Sequence, residues 1–212
     1  MILFHGSEKL IRQPKFKVGN PHNDYGYGFY CTNELEAAKE WANRYTENGI
    51  VNKYSLDLRY LKVLDLTKES VLTWIAILLK YRKLSEIQKH EYELGLRFLK
   101  QYEIDISEYD VIIGYRADDA YFTFPLMFLN NELTLETLEK VYMLGNLGIQ
   151  YAAISEKAIS KMKFINYVEV EREYRSRYLE RVNSAKNRFE ELANNDRYSN
   201  GTRLRDLINK HD

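Results

Sequence analysis

Two segments near the N-terminus combine residue types that suit a binding site for a ligand with a flat ring. The first is His5-Gly6, which follows the apolar run Ile2-Leu3-Phe4, a predicted short strand. A histidine at a strand end can donate a hydrogen bond to a ligand hydroxyl, and the neighbouring glycine lets a ligand approach the backbone. The second segment, Asp24 to Thr32, places two glycines among four aromatic residues. A binding loop has this composition, but so does a glycine turn that enters an aromatic strand.

Two later segments carry polar residues next to predicted strands. Asp118 and Asp119 follow the apolar strand at 109–114, where charged side chains often line a site. A helix N-cap is the favoured role for at least one of these two residues. Gln150 opens a short strand at 150–154, and a polar residue there can point into a cleft. The region around Asp118 has no His or carboxylate cluster with ligand spacing, so no metal is expected.

The composition limits the kind of protein. The chain has 212 residues, 45% of them hydrophobic and 29% charged, which fits one globular domain with a sizeable core. Lys plus Arg equals Asp plus Glu at 31 each, so no overall field attracts nucleic acid, although a local basic face stays open. The single cysteine, Cys31, excludes an internal disulfide, fits a reducing compartment and suits packing. No stretch is apolar over a membrane-spanning length and no signal peptide is recognisable, so a cytoplasmic protein that does not enter a membrane is expected.

The hydrophobic pattern predicts short strands separated by helices, which is the α+β class. Asn33, Thr134 and Ser155 are the expected helix caps, and Pro125 should break or kink a helix that opens at Asp118-Asp119. From Glu169 the chain is rich in Glu and Arg, which predicts a long exposed helix with ion pairs between successive turns. We therefore expect a domain over residues 1–168 and a helical C-terminal extension over 169–212. The remaining expected elements are strands at 28–32 and 50–58 and a helical region at 70–102.

Taken in order, these segments resemble the His-Tyr-Glu branch of the ADP-ribosyltransferase superfamily, which includes poly-ADP-ribose polymerases and diphtheria-type toxins. In that branch one strand carries His-Gly, a second segment reads G-x-G-F/I-Y, and a third strand begins with Glu. The matching residues here are His5-Gly6, Gly26 to Tyr30, and Gln150. The layout is most similar to an uncharacterised bacterial family of that superfamily, through D-[YF]-G-x-G-F-Y-x-T at 24–32 and A-A-x-x-W-A at 37–42. The likeness covers residues 1–165.

The resemblance implies that NAD is the substrate. His5 would hydrogen-bond a ribose hydroxyl, Gly6 would hold the nicotinamide amide through its backbone, and Tyr30 would stack on the nicotinamide ring. Gly28 and Phe29 belong to the same NAD-binding motif. The implied fold is a split pair of small antiparallel sheets around an NAD cleft, with a helical insertion and the C-terminal tail.

The chain departs from the branch at the third position, where Gln150 replaces Glu. In the family this carboxylate holds the 2′-hydroxyl of the nicotinamide ribose and stabilises an oxocarbenium-like transition state. Gln keeps the hydrogen bond but has no charge to oppose the developing cation. Asp118 or Asp119 is the candidate replacement. Without a replacement, turnover would be slow or the domain would only bind NAD.

These features predict an NAD-dependent ADP-ribosyltransferase that modifies a macromolecule, protein or nucleic acid, in the manner of a bacterial toxin-type effector. An inhibitor or antitoxin protein would be a natural partner for such an effector. The alternatives are hydrolysis of NAD without an acceptor and a non-catalytic NAD-binding or interaction domain. Nucleic-acid binding by the tail is disfavoured because Glu is interleaved with Arg along it.

Overall fold

A computed structural model describes residues 1–44, 48–82, 92–116, 119–144, 148–196 and 199–209 of the chain. A mixed seven-stranded sheet with flanking helices forms its centre, which confirms the α+β class. The strands are β1 (Ile2–Ser7), β2 (Phe29–Thr32), β3 (Gly49–Leu56), β4 (Val63–Asp65), β5 (Val111–Tyr115), β6 (Ile149–Ala153) and β7 (Met162–Val170). The helices are α1 (Leu35–Ala42), α2 (Val71–Tyr81), α3 (Tyr92–Tyr102), α4 (Asp119–Leu129), α5 (Leu135–Leu144), α6 (Glu156–Ser160), α7 (Glu173–Asp196) and α8 (Leu204–Asn209).

The sheet has a narrow junction between two well-paired halves. Its strand order is β4-β5-β6-β2-β1-β3-β7, and β4 and β5 run parallel while the other described pairs are antiparallel. Strand β1 aligns with β3 from Ile2 to Ser7 but meets β2 at the single pair Phe4–Thr32. The resemblance implied a split pair of small antiparallel sheets. The structure instead has one sheet whose halves diverge beyond that pair, with one parallel pair that was not predicted.

Side chains alternate between the two faces of the sheet, and each face has its own core. On one face, Leu3, Phe29 and Val111 pack in a buried cluster that also includes residues of α6. On the other face, Ile112 and Ala152 pack in the larger cluster formed with α2, α3, α4 and α8. Helix α1 packs against β1 and β3. The junction between the halves therefore lies beside α1 and next to both cores.

Helix α2 is apolar all round because it lies inside the larger core. Its residues from Trp74 to Leu79 are buried, and Ser70 caps the helix by accepting a hydrogen bond from the amide of Leu72 at 3.2 Å. The predicted helical region at 70–102 corresponds to α2 and α3. Residues 83–91, between these two helices, lie outside the described residues.

The predicted helix caps were right at two positions and wrong at one. The hydroxyl of Ser155 accepts a hydrogen bond from Ala158 at 3.0 Å, and that of Thr134 accepts one from Thr137 at 3.3 Å. Asn33 was the wrong choice for α1, because the chain enters that helix one residue later, at Glu34. Helix α4 continues through Pro125 without the predicted break, and it is anchored by buried side chains that include Phe124 and Phe128.

Strand β7 was not predicted from the sequence. It lies at the edge of the sheet and pairs with β3. Its residues 165–169 are all exposed, so the segment has no alternation of apolar and polar residues. Alternation marks a strand only when one face is buried, which explains the omission.

The C-terminal residues form helices, as predicted. Helix α7 begins at Glu173 rather than Glu169, because the chain completes β7 first and Val170 is buried in a cluster with α1 residues. The expected ion pair between Glu173 and Arg177 is present at 3.4 Å. Helix α8 contributes Leu204 and Ile208 to the larger core. Helix α8 is therefore packed on the rest of the domain.

Candidate functional site

A cavity of about 500 Å³ opens where β1 and β2 diverge. Its walls come from these two strands, the loop between them, α1, and single residues that follow α2, follow β5 and lie in β6. The volume is in the range of pockets that bind small organic ligands. The predicted site residues that line this cavity are His5, Gly6, Gly28, Phe29, Tyr30 and Gln150.

His5 presents a hydrogen-bond acceptor, not the donor that the sequence suggested. Its Nδ1 is 2.7 Å from the carbonyl oxygen of Tyr30, so this nitrogen carries the hydrogen and donates it. Burial lowers the pKa of His5, and the bond to Tyr30 offsets only part of that effect. The neutral ring therefore keeps Nε2 as an acceptor. A ligand hydroxyl would donate to His5, which corrects the expected direction of this bond.

The backbone of Gly6 faces the gap between β1 and β2. Met1 and Leu56 exchange both of their backbone hydrogen bonds at 2.9 Å. The odd-numbered residues that follow in β1 therefore turn their backbone N–H and C=O groups toward β3. Backbone groups alternate in direction along an antiparallel strand, so Phe4 and Gly6 turn theirs toward β2. Because β2 pairs with β1 only at Phe4, the N–H and C=O of Gly6 border the opening. A carboxamide, with one donor and one acceptor side, would complement this edge.

Gly6 is also required by the packing of α1. A Cβ at this position would lie 2.2 Å from the carbonyl oxygen of Ala38 and 2.7 Å from the backbone nitrogen of Ala42. The helix therefore lies directly against β1, which brings Ala38 and Trp41 to the cavity wall. This second reason for a glycine after His5 was not foreseen from the sequence.

Tyr30 is held so that its ring, not its hydroxyl, is available to a ligand. The hydroxyl donates to the carbonyl of Gly26 at 2.7 Å and accepts from the amide of Tyr25 at 3.0 Å. The rings of Tyr25 and Tyr30 are nearly parallel, 15° apart, with centroids separated by 6.2 Å. Burial, followed by the negative charge of Asp24, raises the pKa of Tyr30 well above its ordinary value. Tyr30 is thus a fixed, uncharged aromatic wall of the cavity.

Gly28 and Phe29 shape the wall that carries His5 and Tyr30. The ring of Phe29 is buried, stacks under His5 at 4.2 Å and meets Tyr54 edge-on at 5.4 Å. A Cβ on Gly28 would lie 3.1 Å from the side chain of Ile154. Both residues line the cavity, and both also pack against other parts of the protein.

Gln150 is the centre of a buried polar cluster. Its side-chain nitrogen donates to the carboxylate of Asp24 at 2.7 Å and to the carbonyl of Tyr115 at 2.9 Å. The same carboxylate accepts from the guanidinium of Arg82, with N–O distances of 2.6 and 2.7 Å. Gln150 is 7% exposed and Asp24 5% exposed, yet both border the cavity. Because two acceptors use the amide hydrogens of Gln150, its oxygen Oε1 is the atom it offers to a ligand.

Asp24 is therefore the carboxylate in contact with Gln150, whereas the sequence had suggested Asp118 or Asp119 as the carboxylate that makes up for the missing Glu. Asp118 lies outside the described residues, and only the backbone of Asp119, at the start of α4, is described. The structure thus does not place either of them at the site. Asp24 and Arg82 are 58 positions apart, so no local pattern links them. The sequence feature that could have identified Asp24 is its position as an acidic residue at the start of the aromatic segment 24–32.

A second set of buried hydrogen bonds anchors this segment. The hydroxyl of Tyr25 accepts from the indole of Trp74 at 3.0 Å and donates to the carbonyl of Tyr115 at 3.2 Å. Gly114 leaves room for that hydroxyl, because a Cβ there would lie 2.2 Å from it. The carbonyl of Tyr115 accepts from both Tyr25 and Gln150, so it links the two sets of hydrogen bonds.

The cavity also has a cationic and aromatic part. The guanidinium groups of Arg116 and Arg44 lie over the ring of Trp41, at 4.5 and 4.7 Å from its centroid. Arg116, Trp41 and Lys15 all line the cavity. In a chain whose formal charges balance, cations gathered at one cavity favour a ligand with an anionic part, such as a diphosphate.

Other kinds of site find less support in the described part of the chain. Within it, no group of three or more His, Cys, Asp or Glu side chains could hold a metal ion. Burial raises the pKa of the Cys31 thiol, which agrees with packing rather than nucleophilic chemistry. Over the same described ranges, none of the helices combines the length and the apolar character needed to cross a membrane.

Comparison with known proteins assigns the chain to a family without assigning an activity. Neither the curated proteins nor the solved structures contain a match to this chain. A family model described as "protein of unknown function" (DUF3990) matches residues 1–164, which include every residue of the cavity wall. The chain therefore belongs to the DUF3990 family.

Proposed function

We propose that this cavity binds NAD and that the protein transfers ADP-ribose from NAD to a macromolecule. One observation carries the proposal: His5, Gly6, Tyr30 and Gln150, which come from three separate segments of the sequence, line a single cavity. These are the positions to which the resemblance assigns contacts with NAD. Convergence of all four in one cavity is the support that the sequence order alone did not supply.

Each part of the cavity has a chemical counterpart in NAD. The free strand edge at Gly6 complements the carboxamide of nicotinamide, and the ring of Tyr30 suits its pyridinium ring. The acceptor atoms of His5 and Gln150 suit ribose hydroxyl groups. Arg116, which lies over Trp41, and Lys15 line the same cavity and suit the diphosphate.

The proposed reaction breaks the bond between the nicotinamide nitrogen and C1′ of the ribose. Nicotinamide leaves with the bonding electron pair, and positive charge develops on the ribose ring. A nucleophilic atom of the acceptor then bonds to C1′ and releases its proton. The protein holds the nicotinamide and the ribose in place and directs acceptor atoms toward the developing charge.

A second candidate function is binding of NAD without turnover. It is favoured by the uncharged amide of Gln150, which lies where the resemblance expects a carboxylate. The two candidates differ in one product, because only turnover releases nicotinamide.

The test uses the purified chain with NAD carrying a label on the adenosine part, with and without a bacterial lysate. Transfer of the label to a macromolecule together with nicotinamide release supports the proposal. Nicotinamide release without label transfer would identify NAD hydrolysis, and an NAD-dependent rise in melting temperature alone would identify a binding domain. Absence of all three effects would refute NAD as the ligand.

A matched pair of variants locates the activity in the cavity. Tyr30→Ala removes the ring from the cavity wall, whereas Tyr60→Ala removes a ring that is 86% exposed and does not line the cavity. Loss of one base-stacking contact weakens binding by about 10- to 100-fold. We expect that loss of NAD affinity for Tyr30→Ala and native affinity for Tyr60→Ala. Equal affinities of the two variants would place the NAD site elsewhere.

A further inference from the structure

We propose that Asp24 is the positioning carboxylate of this site. It orients the side-chain amide of Gln150 and, through that amide, supplies the negative charge that a glutamine lacks. The proposal rests on the proposed function, because the ligand group that Gln150 would meet is a ribose hydroxyl of NAD.

The orientation of the Gln150 amide follows from its partners. The Asp24 carboxylate and the Tyr115 carbonyl are both acceptors, so the atom that faces them at 2.7 and 2.9 Å has to be the nitrogen. If the amide were turned over, its oxygen would meet two acceptors and both bonds would be lost. Oε1 is therefore held in one position as the acceptor for a ligand. A glutamate at this position would accept the same hydrogen bond.

Asp24 also changes the strength of that acceptor. A hydrogen bond from an amide N–H to a carboxylate shifts electron density toward the amide oxygen, and a buried environment strengthens the effect. Both side chains are buried, so water screens their interaction little. The paired guanidinium of Arg82 compensates for the burial of the Asp24 carboxylate. Oε1 of Gln150 thus carries more negative charge than the oxygen of an isolated amide.

The position of Asp24 couples this carboxylate to the stacking ring. The next residue, Tyr25, donates its backbone amide to the hydroxyl of Tyr30 at 3.0 Å. The carboxylate, the amide of Gln150 and the ring of Tyr30 are therefore held by consecutive residues of one segment. This accounts for an aspartate at the head of the aromatic segment, which the sequence alone left without a role.

Three variants test the proposal by changing charge with little change in shape. Asp24→Asn removes the charge and keeps the side-chain size, and we expect nicotinamide release to fall about 10- to 100-fold, the usual effect of losing a residue that orients a ligand-binding group. Asp57→Asn is the control, because Asp57 also pairs with an arginine, Arg59, but does not line the cavity. The control should keep native activity. If Asp24→Asn keeps native activity as well, the proposal is wrong.

The other two variants measure how activity depends on pH and whether it recovers in an exchanged pair, and neither result would change if Asp24 had only a structural role. Gln150→Glu places two carboxylates at hydrogen-bond distance, so the pair shares a proton in the neutral range and activity should become pH-dependent there, whereas the native amide does not titrate. In the exchanged pair Asp24→Asn/Gln150→Glu, the amide nitrogen belongs to residue 24 and donates to a carboxylate at 150, while the bond from residue 150 to the Tyr115 carbonyl is lost. We therefore expect activity above that of Asp24→Asn but below that of the native protein, without the pH dependence of Gln150→Glu. An exchanged pair no more active than Asp24→Asn would overturn the proposal.

A measurement without NAD separates failure of this inference from failure of the proposed function. The side-chain amide hydrogens of Gln150 should exchange slowly with water in NMR spectra of the native protein and faster in Asp24→Asn. Slow exchange in a protein that neither binds nor cleaves NAD would refute the proposed function while leaving the geometry intact. Fast exchange in the native protein would refute the role of Asp24 directly.

Discussion

Gly114 and Tyr25 should be coupled strongly enough for a double-mutant cycle to detect. In Gly114→Ala, the new Cβ would lie 2.2 Å from the hydroxyl oxygen of Tyr25. That hydroxyl is hydrogen-bonded to the indole of Trp74 and the carbonyl of Tyr115 inside the larger core, so it cannot move without breaking those hydrogen bonds. Overpacking costs about 1–3 kcal/mol, and loss of a buried hydrogen bond adds about 1 kcal/mol. We expect Gly114→Ala to lower the free energy of unfolding by about 2–4 kcal/mol.

The same substitution should cost much less when the hydroxyl is absent. In Tyr25→Phe the contact at 2.2 Å disappears, and the next atom is the ring carbon that carried the hydroxyl, at 3.2 Å from the new Cβ. Tyr25→Phe by itself should cost about 1–2 kcal/mol through the lost hydrogen bonds. In this background, Gly114→Ala should cost less than about 1 kcal/mol. The two effects would then fail to add by about 1–3 kcal/mol.

Urea unfolding of the native chain, the two single variants and the double variant measures this coupling. In thermal unfolding, Gly114→Ala should lower the melting temperature by about 4–16 °C, from about 2–4 °C per kcal/mol for a chain of this size. Additive costs in the double variant would refute the reasoning, and so would a Gly114→Ala protein of native stability. Either result would mean that Tyr25 does not fill the space beside Gly114.

Three further outcomes follow from the ionisation and burial of single residues. Because burial lowers the pKa of His5, its ring should stay neutral and NAD affinity in calorimetric titrations should be constant from pH 8 to 6.5; affinity that falls with pH over this range would contradict the acceptor role. Cys31 should react with a thiol reagent at least about a hundredfold more slowly in the native protein than in urea, because only rare opening exposes it. Burial alone would raise the pKa of Asp196, but hydrogen bonds from Thr134 and Thr137 lower it, so its contribution to stability should be fully present well above the ordinary aspartate pKa and be lost as the pH falls through the lowered pKa. Asp196→Asn should lower the free energy of unfolding at pH 7 by about 1–3 kcal/mol in urea titrations, and an unchanged value would exclude this role.

Local features of the fold could be predicted because their causes are local. Ser155 and Thr134 bond to amides three residues ahead, so the cap is visible in the sequence itself. The uninterrupted apolar residues at the centre of β5 likewise identify this strand from the sequence alone. Strand β7 was missed because its exposure at the sheet edge removes the pattern that identifies a strand. The error at Asn33 is a shift of one residue in where the chain enters α1.

Some residues of the candidate site could be predicted from the sequence, but the contacts between them could not. The ordered motifs named His5, Tyr30 and Gln150, and all three border one cavity. The contact between Asp24 and Gln150 joins residues 126 positions apart and depends on how a loop packs on β6, which no local pattern encodes. The direction of the hydrogen bond at His5 depends in the same way on the carbonyl of Tyr30.

The most direct test of the account is a crystal structure of the protein with NAD. We predict that the nicotinamide amide will lie within about 3 Å of the backbone N–H and C=O of Gly6, with the pyridinium ring against Tyr30. A ribose hydroxyl should lie at the same distance from Oε1 of Gln150, whose nitrogen should stay on Asp24. NAD bound outside this cavity, or no NAD bound at millimolar concentration, would contradict the central claim.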